Sequence, residues 1–232
     1  MITEAPEFQR KDVNDMSKVI TMILPQPAKS LIVDSLSYFD EYRRVLTELP
    51  YQEIEQVADV LHEAHKLERR VFLFGNGGSA ALASHFACDL GKGTVEPGIT
   101  SKRFRVMSLT DNIPLLTAWA NDTSYEQVFA EQLRNFVQEG DIAFGISGSG
   151  CSRNVLLALE VARQSGAMTI GLTGFKGGKM PELCDLCVII PSNNMQIIED
   201  LQLSITHALF TVIRHRITEG ISAQATLATV AA

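Results

Sequence analysis

Residues 71–93 read VFLFGNGGSAALASHFACDLGKG, and no other stretch limits the fold as tightly. An apolar run from Val71 to Phe74 passes into the glycine-rich turn Gly75-Asn76-Gly77-Gly78-Ser79 and then into small residues from Ala80. A short apolar run, a glycine turn and a helix start make a strand–turn–helix unit. The alternation then continues. Strand-like runs at 105–109, 141–146, 168–172 and 186–190 follow, with helix-patterned segments at 113–121, 125–137 and 154–165 between them, a Gly177-Gly178 turn before the last strand and a final helix at 196–217. With 71–74 and the helix 80–90, this gives five strands with helices between the first four and after the last. Such strands pair in parallel, and helices cover both faces of the sheet. Right-handed crossovers make it a doubly wound α/β sandwich, whose ligands bind at the carboxyl ends of the strands. The turn at 75–79 and the loop at 147–152 both follow strands directly, so both open on that edge. A polar loop is expected at 91–103.

Two amphipathic helices, 30–49 and 51–68, precede the alternating region and are divided by Pro50. The organisation read from this is an extension over 1–29 with a short helix near 13–24, one domain over 30–217, and a small, polar, mobile tail over 218–232. His62 and His65 lie on the second helix beside Glu63 and Lys66 and read as a solvated face rather than a metal pair.

The 232 residues suffice for a single buried core. A net charge of −7 argues against a nucleic-acid surface, which needs a basic patch. No apolar run is long enough to cross a bilayer. The polar first residues do not read as a secretory signal. The four cysteines, Cys88, Cys151, Cys184 and Cys187, therefore read as reduced thiols in a cytoplasmic protein. Cys184 and Cys187 form a lone CxxC ahead of a strand, which suits packing better than redox or metal chemistry.

Three motifs carry chemistry. Backbone N–H groups at 75–79 meet a helix N-terminus, an anion site that is neither a P-loop nor a dinucleotide fingerprint. Ser147, Ser149 and Ser152, spaced by Gly148 and Gly150, offer three hydroxyls at a second helix start. An ordinary N-cap uses one serine, whereas three suit the terminal oxygens of a phosphate monoester. His85 and Asp89 share a helix face at i, i+4, as metal chelator, proton-transfer pair or plain ion pair. The last helix adds Glu199 and His207. His207 sits in an apolar run and is expected to be partly buried, either as a working group or as a core histidine.

The strings FGNGGSAALASHFACDL, GISGSGCSRN, LTGFKGGKM and IIEDLQLSITH resemble those of the sugar isomerase (SIS) domain family, and within it the phosphoheptose isomerases. The likeness runs from about Ser37 to Ile217. It implies a flavodoxin-like five-stranded sheet, a homotetramer with active sites between subunits, and conversion of sedoheptulose 7-phosphate to D-glycero-D-manno-heptose 7-phosphate through an enediol. It implies that Ser79, Ser147, Ser149 and Ser152 hold the phosphate. Asn76, Gly77 and Gly78 would then lie beside the sugar, with Asp111 and Asp122 near the substrate. It implies Asp89 as catalytic base and His207 as acid. It also implies one divalent metal per subunit, zinc by family habit, on His85, Asp89, Glu199 and His207. The chain departs from the family pattern at Asp89 (glutamate in relatives), Glu199 (glutamine), Gln202 (often histidine) and Gly93 (arginine, with Lys92 as stand-in). These departures keep two alternatives in view. One is a non-catalytic SIS protein that binds a phosphosugar or a replication-initiator partner. The other is an isomerase of a different phosphosugar.

Overall fold

A computed structural model describes residues 32–95 and 102–230, the last ten by backbone alone. The expected helix near 13–24 lies outside the described residues. The chain divides into two units, 1–41 and 42–232. In the first, Asp34 starts helix α1 (Ser35–Thr47): its carboxylate accepts from the Ser37 N–H at 2.8 Å, so the helix begins five residues later than its apolar pattern suggested. Hydrogen bonds from the Ser37 backbone and hydroxyl hold the Asp34 carboxyl below its usual pKa.

The second unit carries the last residues of α1, α2 (Tyr51–Lys66) and the alternating region. The remaining elements are β1 (Arg70–Gly75), α3 (Gly78–Cys88), β2 (Arg105–Ser108), α4 (Ile113–Asp122), α5 (Ala130–Phe136), β3 (Ile142–Ser147), α6 (Arg153–Gln164), β4 (Met168–Thr173), β5 (Leu186–Ile189) and α7 (Met195–Val230). All neighbouring strands pair in parallel, in the order β2-β1-β3-β4-β5. This is the flavodoxin-like order, whose direction reverses between β1 and β3.

The central strands are apolar on both faces because both are covered. Every residue of β3 is buried, as are Val71 to Gly75 of β1. On one face Phe86 of α3 meets Phe144 edge-on, with ring centroids 5.9 Å apart. On the other, Phe74 meets Phe129 at 5.7 Å, within a cluster that includes Leu133, Val155 and Leu159. Each such side chain contributes roughly 1.5–3 kcal/mol on burial.

Several elements differ from the sequence reading. The segment 125–137 is not one helix: a 3-10 turn, Tyr125–Gln127, precedes α5. Val128, Phe129 and Ala130, at the junction of the two, are all buried. The expected loop after residue 90 starts as a π-helical turn, Asp89–Gly93, closed by the Thr94 hydroxyl donating to the Leu90 carbonyl at 2.6 Å. Part of that loop lies outside the described residues. Helix α7 continues past Ile217 to Val230, where a tail was expected. His65 is not solvated: it is 6% exposed, stacks on Phe104 at 4.9 Å, and its Nε2 has no hydrogen-bond partner.

Candidate active site

The carboxyl ends of β1 and β3 bring the two loops together, as the alternation predicts. Gly75 pairs with Ile146, and Ser147 pairs with Thr173 of β4. The loop after β3 folds tightly. Gly150 adopts φ +64° and lies so close to Gly177 that a Cβ would stand 1.9 Å from the Gly177 carbonyl oxygen. The Ser147 hydroxyl donates to Ser152 Oγ at 3.2 Å, and Ser149 Oγ accepts from the Cys151 N–H at 3.2 Å. Ser152 occupies the N-cap of α6 but makes no capping bond with its side chain, so the ordinary reason for a serine there does not apply. Ser79, 6% exposed, sits in the first turn of α3.

Asn76 joins the two loops. Its Nδ2 donates to Asn154 Oδ1 at 2.9 Å, and Asn154 Nδ2 donates back to Asn76 Oδ1 at 2.8 Å. Tyr125 adds its hydroxyl to Asn76 Oδ1 at 2.9 Å. The sequence reading missed both Asn154 and Tyr125. One signal was available for Asn154: it shares a helix stripe with Ala158 and Ala162, and a polar residue on an apolar stripe needs a partner.

A second cluster lies further along α3. His85 Nε2 is 3.4 Å from His207 Nε2 and 3.5 Å from Asp89 Oδ2, and His207 Nε2 is 3.8 Å from that same oxygen. Each residue offers one ligand atom to a common point. Tetrahedral zinc ligands at about 2.0–2.2 Å stand roughly 3.4 Å from one another, so the three donors fit such an ion. Two imidazole nitrogens facing each other also form a poor pair unless a proton or a cation lies between them. His207 is not buried: its side chain is 47% exposed. The buried stripe of α7 runs through Leu201, Ile205, Leu209 and Ile213, and residue 207 faces away from it.

Glu199 stands apart from these three donors. Its Oε1 lies 2.9 Å from where a Gly78 Cβ would be, over the start of α3, and it lines a cavity of about 220 Å³ together with His85 and Gln202. Gln202 is buried and donates to the Leu172 carbonyl at 3.2 Å, which fixes α7 to β4. At Gly93 the Phe210 ring fills the space of a side chain, with Cζ 2.6 Å from a notional Cβ.

Asp111 accepts from the Ser84 hydroxyl and lines a separate open pocket of about 720 Å³ with Ser84, Cys88 and Met107. Asp122 is exposed and accepts from Asn121 at 2.8 Å; among the described residues no hydrogen bond joins it to Asn76 or the serines. Cys184 and Cys187 pack on the core around Gly171, and all four cysteines are free. Their mutual hydrogen bond, ahead of burial, raises the Cys184 pKa, and the same bond lowers that of Cys187.

The model of the SIS domain matches residues 37–174. The chain belongs to the SIS domain family. The phosphoheptose isomerase of Aliarcobacter butzleri is 38% identical over 190 residues, 80% of this chain and 96% of that protein. That of Helicobacter hepaticus is 40% identical over 160 residues, 69% of this chain and 80% of that protein. Among solved structures, phosphoheptose isomerase GmhA from Neisseria gonorrhoeae superposes with a TM-score of 0.71 at 29% identity, over 77% of this chain and 95% of that one. The SIS-family chain described here therefore falls among the phosphoheptose isomerases.

Proposed function

We infer that this chain is an aldose–ketose isomerase of a phosphosugar, and that it converts sedoheptulose 7-phosphate to D-glycero-D-manno-heptose 7-phosphate. The observation that carries the reading is a serine-rich anion loop at the start of α3 and, at its end, a His–Asp–His cluster that His207 of α7 completes. Ser79, Ser147, Ser149 and Ser152 hold the phosphate with neutral donors, and Asn76, Gly77 and Gly78 border the sugar. Asp111 and Asp122 are the acidic residues the resemblance puts near the substrate, although Asp111 lines a separate pocket in this chain and Asp122 bonds Asn121. Asp89 takes a proton from C1 and returns it to C2, while His207 gives a proton to O2 and receives one from O1. Charge on the enediol oxygens is thereby avoided, and the four transfers balance.

The same cluster would hold one divalent ion, zinc by its donor chemistry, on His85, Asp89 and His207, with Glu199 turning in from over Gly78 as the fourth ligand; an atom bound to the ion would not at that moment be free for proton transfer. When bound, the ion supplies polarisation of a carbonyl oxygen and order in the site.

The working unit is a homotetramer with sites between subunits. Exposed Tyr51, Leu67, Ile113 and Leu203 offer apolar surface for such contacts. We place the protein in the cytoplasm, in keeping with its four free thiols. Among the described residues no helix is long and apolar enough to cross a membrane.

The test is direct. Purified protein with sedoheptulose 7-phosphate, followed by NMR, forms the aldose, and Asp89→Asn and His207→Ala each abolish that turnover. No product with or without added zinc removes this substrate, and full activity in either variant removes the role given to that residue.

A further inference from the structure

We propose that Asn154, with Tyr125, is a positioning residue that fixes the orientation of the Asn76 amide, so that Asn76 meets the sugar as a hydrogen-bond donor. One backbone group beside the pair has a polarity that cannot be reversed. The Val155 N–H donates to Asn154 Oδ1 at 3.0 Å, so that atom is the carbonyl oxygen. The facing Asn76 atom, 2.9 Å away, must then be the nitrogen, and the return contact at 2.8 Å must run from Asn154 Nδ2 to Asn76 Oδ1. With the oxygen of Asn76 so assigned, Tyr125 must be the donor in their 2.9 Å contact.

The carbonyl of Asn76 thus receives two hydrogen bonds, and one of its two N–H groups is used by Asn154. One N–H remains, and no residue among those described accepts it. Asn154 is 3% exposed and Asn76 is partly exposed, so the fixed member of the pair is inside and the presented member is at the cleft. A freely rotating amide would offer a sugar oxygen either a donor or an acceptor. This one offers only a donor, which suits a carbonyl or hydroxyl oxygen of the open-chain sugar. The arrangement also spans the reversal point between β1 and β3, since Asn76 follows β1 and Asn154 follows the serine loop.

The proposal rests on the phosphosugar reading, and the experiment separates the two. In Asn154→Asp the two carboxylate oxygens face both the nitrogen and the oxygen of Asn76, so the amide loses its single orientation. We expect kcat/KM for sedoheptulose 7-phosphate to fall about 10–100-fold, as for loss of one directed hydrogen bond to a buried partner. Tyr125→Phe removes only the second bond to Asn76 Oδ1 and lowers kcat/KM about 3–10-fold. Each change is then repeated in Asn76→Ala. A residue acting through Asn76 adds less than twofold there, whereas a merely structural role multiplies the losses. Multiplicative losses, or wild-type activity in both single variants, overturn the proposal while leaving the isomerase reading in place. If Asn154→Asp does not fold, Tyr125→Phe decides by the same cycle. Calorimetric binding of sedoheptulose 7-phosphate is measured in parallel. If the wild type binds without turnover, the isomerase reading fails and the same ratios, taken on affinity, judge the proposal. If it neither binds nor turns over, both fall.

Discussion

The Nε2 atoms of His85 and His207 stand 3.4 Å apart although 122 residues separate them in sequence, and one Asp89 oxygen faces both. The contact exists because α3 and α7 pack side by side on the same face of the sheet. A helix carrying His85 and Asp89 four residues apart needs only one further donor from a neighbour to complete three corners of a tetrahedron.

Zinc should therefore stabilise the folded protein by mass action, by about 2.7 kcal/mol at a free concentration one hundred times its dissociation constant. Thermal unfolding with increasing zinc should show a rising midpoint in the wild type, reversed by a chelator. His85→Ala, which removes one donor and leaves the proposed acid and base in place, should flatten that response. An unchanged zinc affinity in His85→Ala would remove the cluster as the site.

Gly150 and Gly77 offer a matched pair of tests. Both adopt positive φ, +64° and +55°, but a Cβ on Gly150 collides with the Gly177 carbonyl, while one on Gly77 meets nothing within 4 Å. Gly77→Ala adds backbone strain alone, about 1–2 kcal/mol. Gly150→Ala adds a collision with backbone that has no room to move, and should cost more than about 3 kcal/mol and disorder the serine loop. Urea unfolding of the two variants, with sugar-phosphate affinity as second readout, checks the ranking. Equal losses would mean that the loop shifts to relieve the contact.

How far the sequence reaches is visible at these same residues. The strands are legible because a sheet covered on both faces demands continuous apolar runs, and 71–74 and 142–146 are such runs. The serine loop is legible because three hydroxyls exceed what a helix cap needs. Helical spacing could not say which side of α7 is buried, because that helix is apolar around much of its circumference, so it leaves His207 open between a working group and a core histidine. It could not see that Phe104 covers His65, a contact made by a residue nearly forty positions later. Nor could it separate Tyr125 from α5, since no glycine or proline marks the break.

Asp141 anchors the start of β1 to the start of β3. Its Oδ1 accepts from the Arg70 N–H at 2.9 Å, and Oδ2 accepts from the Gln138 N–H at 2.9 Å and from Arg70 Nε at 3.0 Å. The residue is 3% exposed. Asp141→Ala leaves two N–H groups and a partly buried guanidinium without their acceptor. Breaking such a pair from one side is expected to cost about 3 kcal/mol. The loss should appear in urea unfolding as a lower midpoint at unchanged slope. A change below about 0.5 kcal/mol would mean that water replaces the carboxylate.

His65 makes stability depend on pH. Burial is the main cause that pushes its pKa below the ordinary value of about 6.5, outweighing the hydrogen bond to the Lys102 backbone that raises it. The sign follows from proton counting. Between the folded and unfolded pKa values the unfolded chain binds more protons at this residue, so stability rises with pH across that interval. The contribution of the neutral ring is fully present above about pH 6.5 and is lost as pH falls toward the lower, folded value. His62, on the same helix, is shifted the same way by burial and by Lys66 and Arg216, so the wild-type slope contains both histidines. The comparison that isolates His65 is the difference between wild type and His65→Leu, which keeps an apolar side chain against Phe104 and does not titrate. Unfolding free energies measured from pH 7.5 down to pH 5 should show that difference shifting in favour of the leucine variant as the pH drops. A difference that stays constant over this range would mean that His65 takes up its proton as easily folded as unfolded.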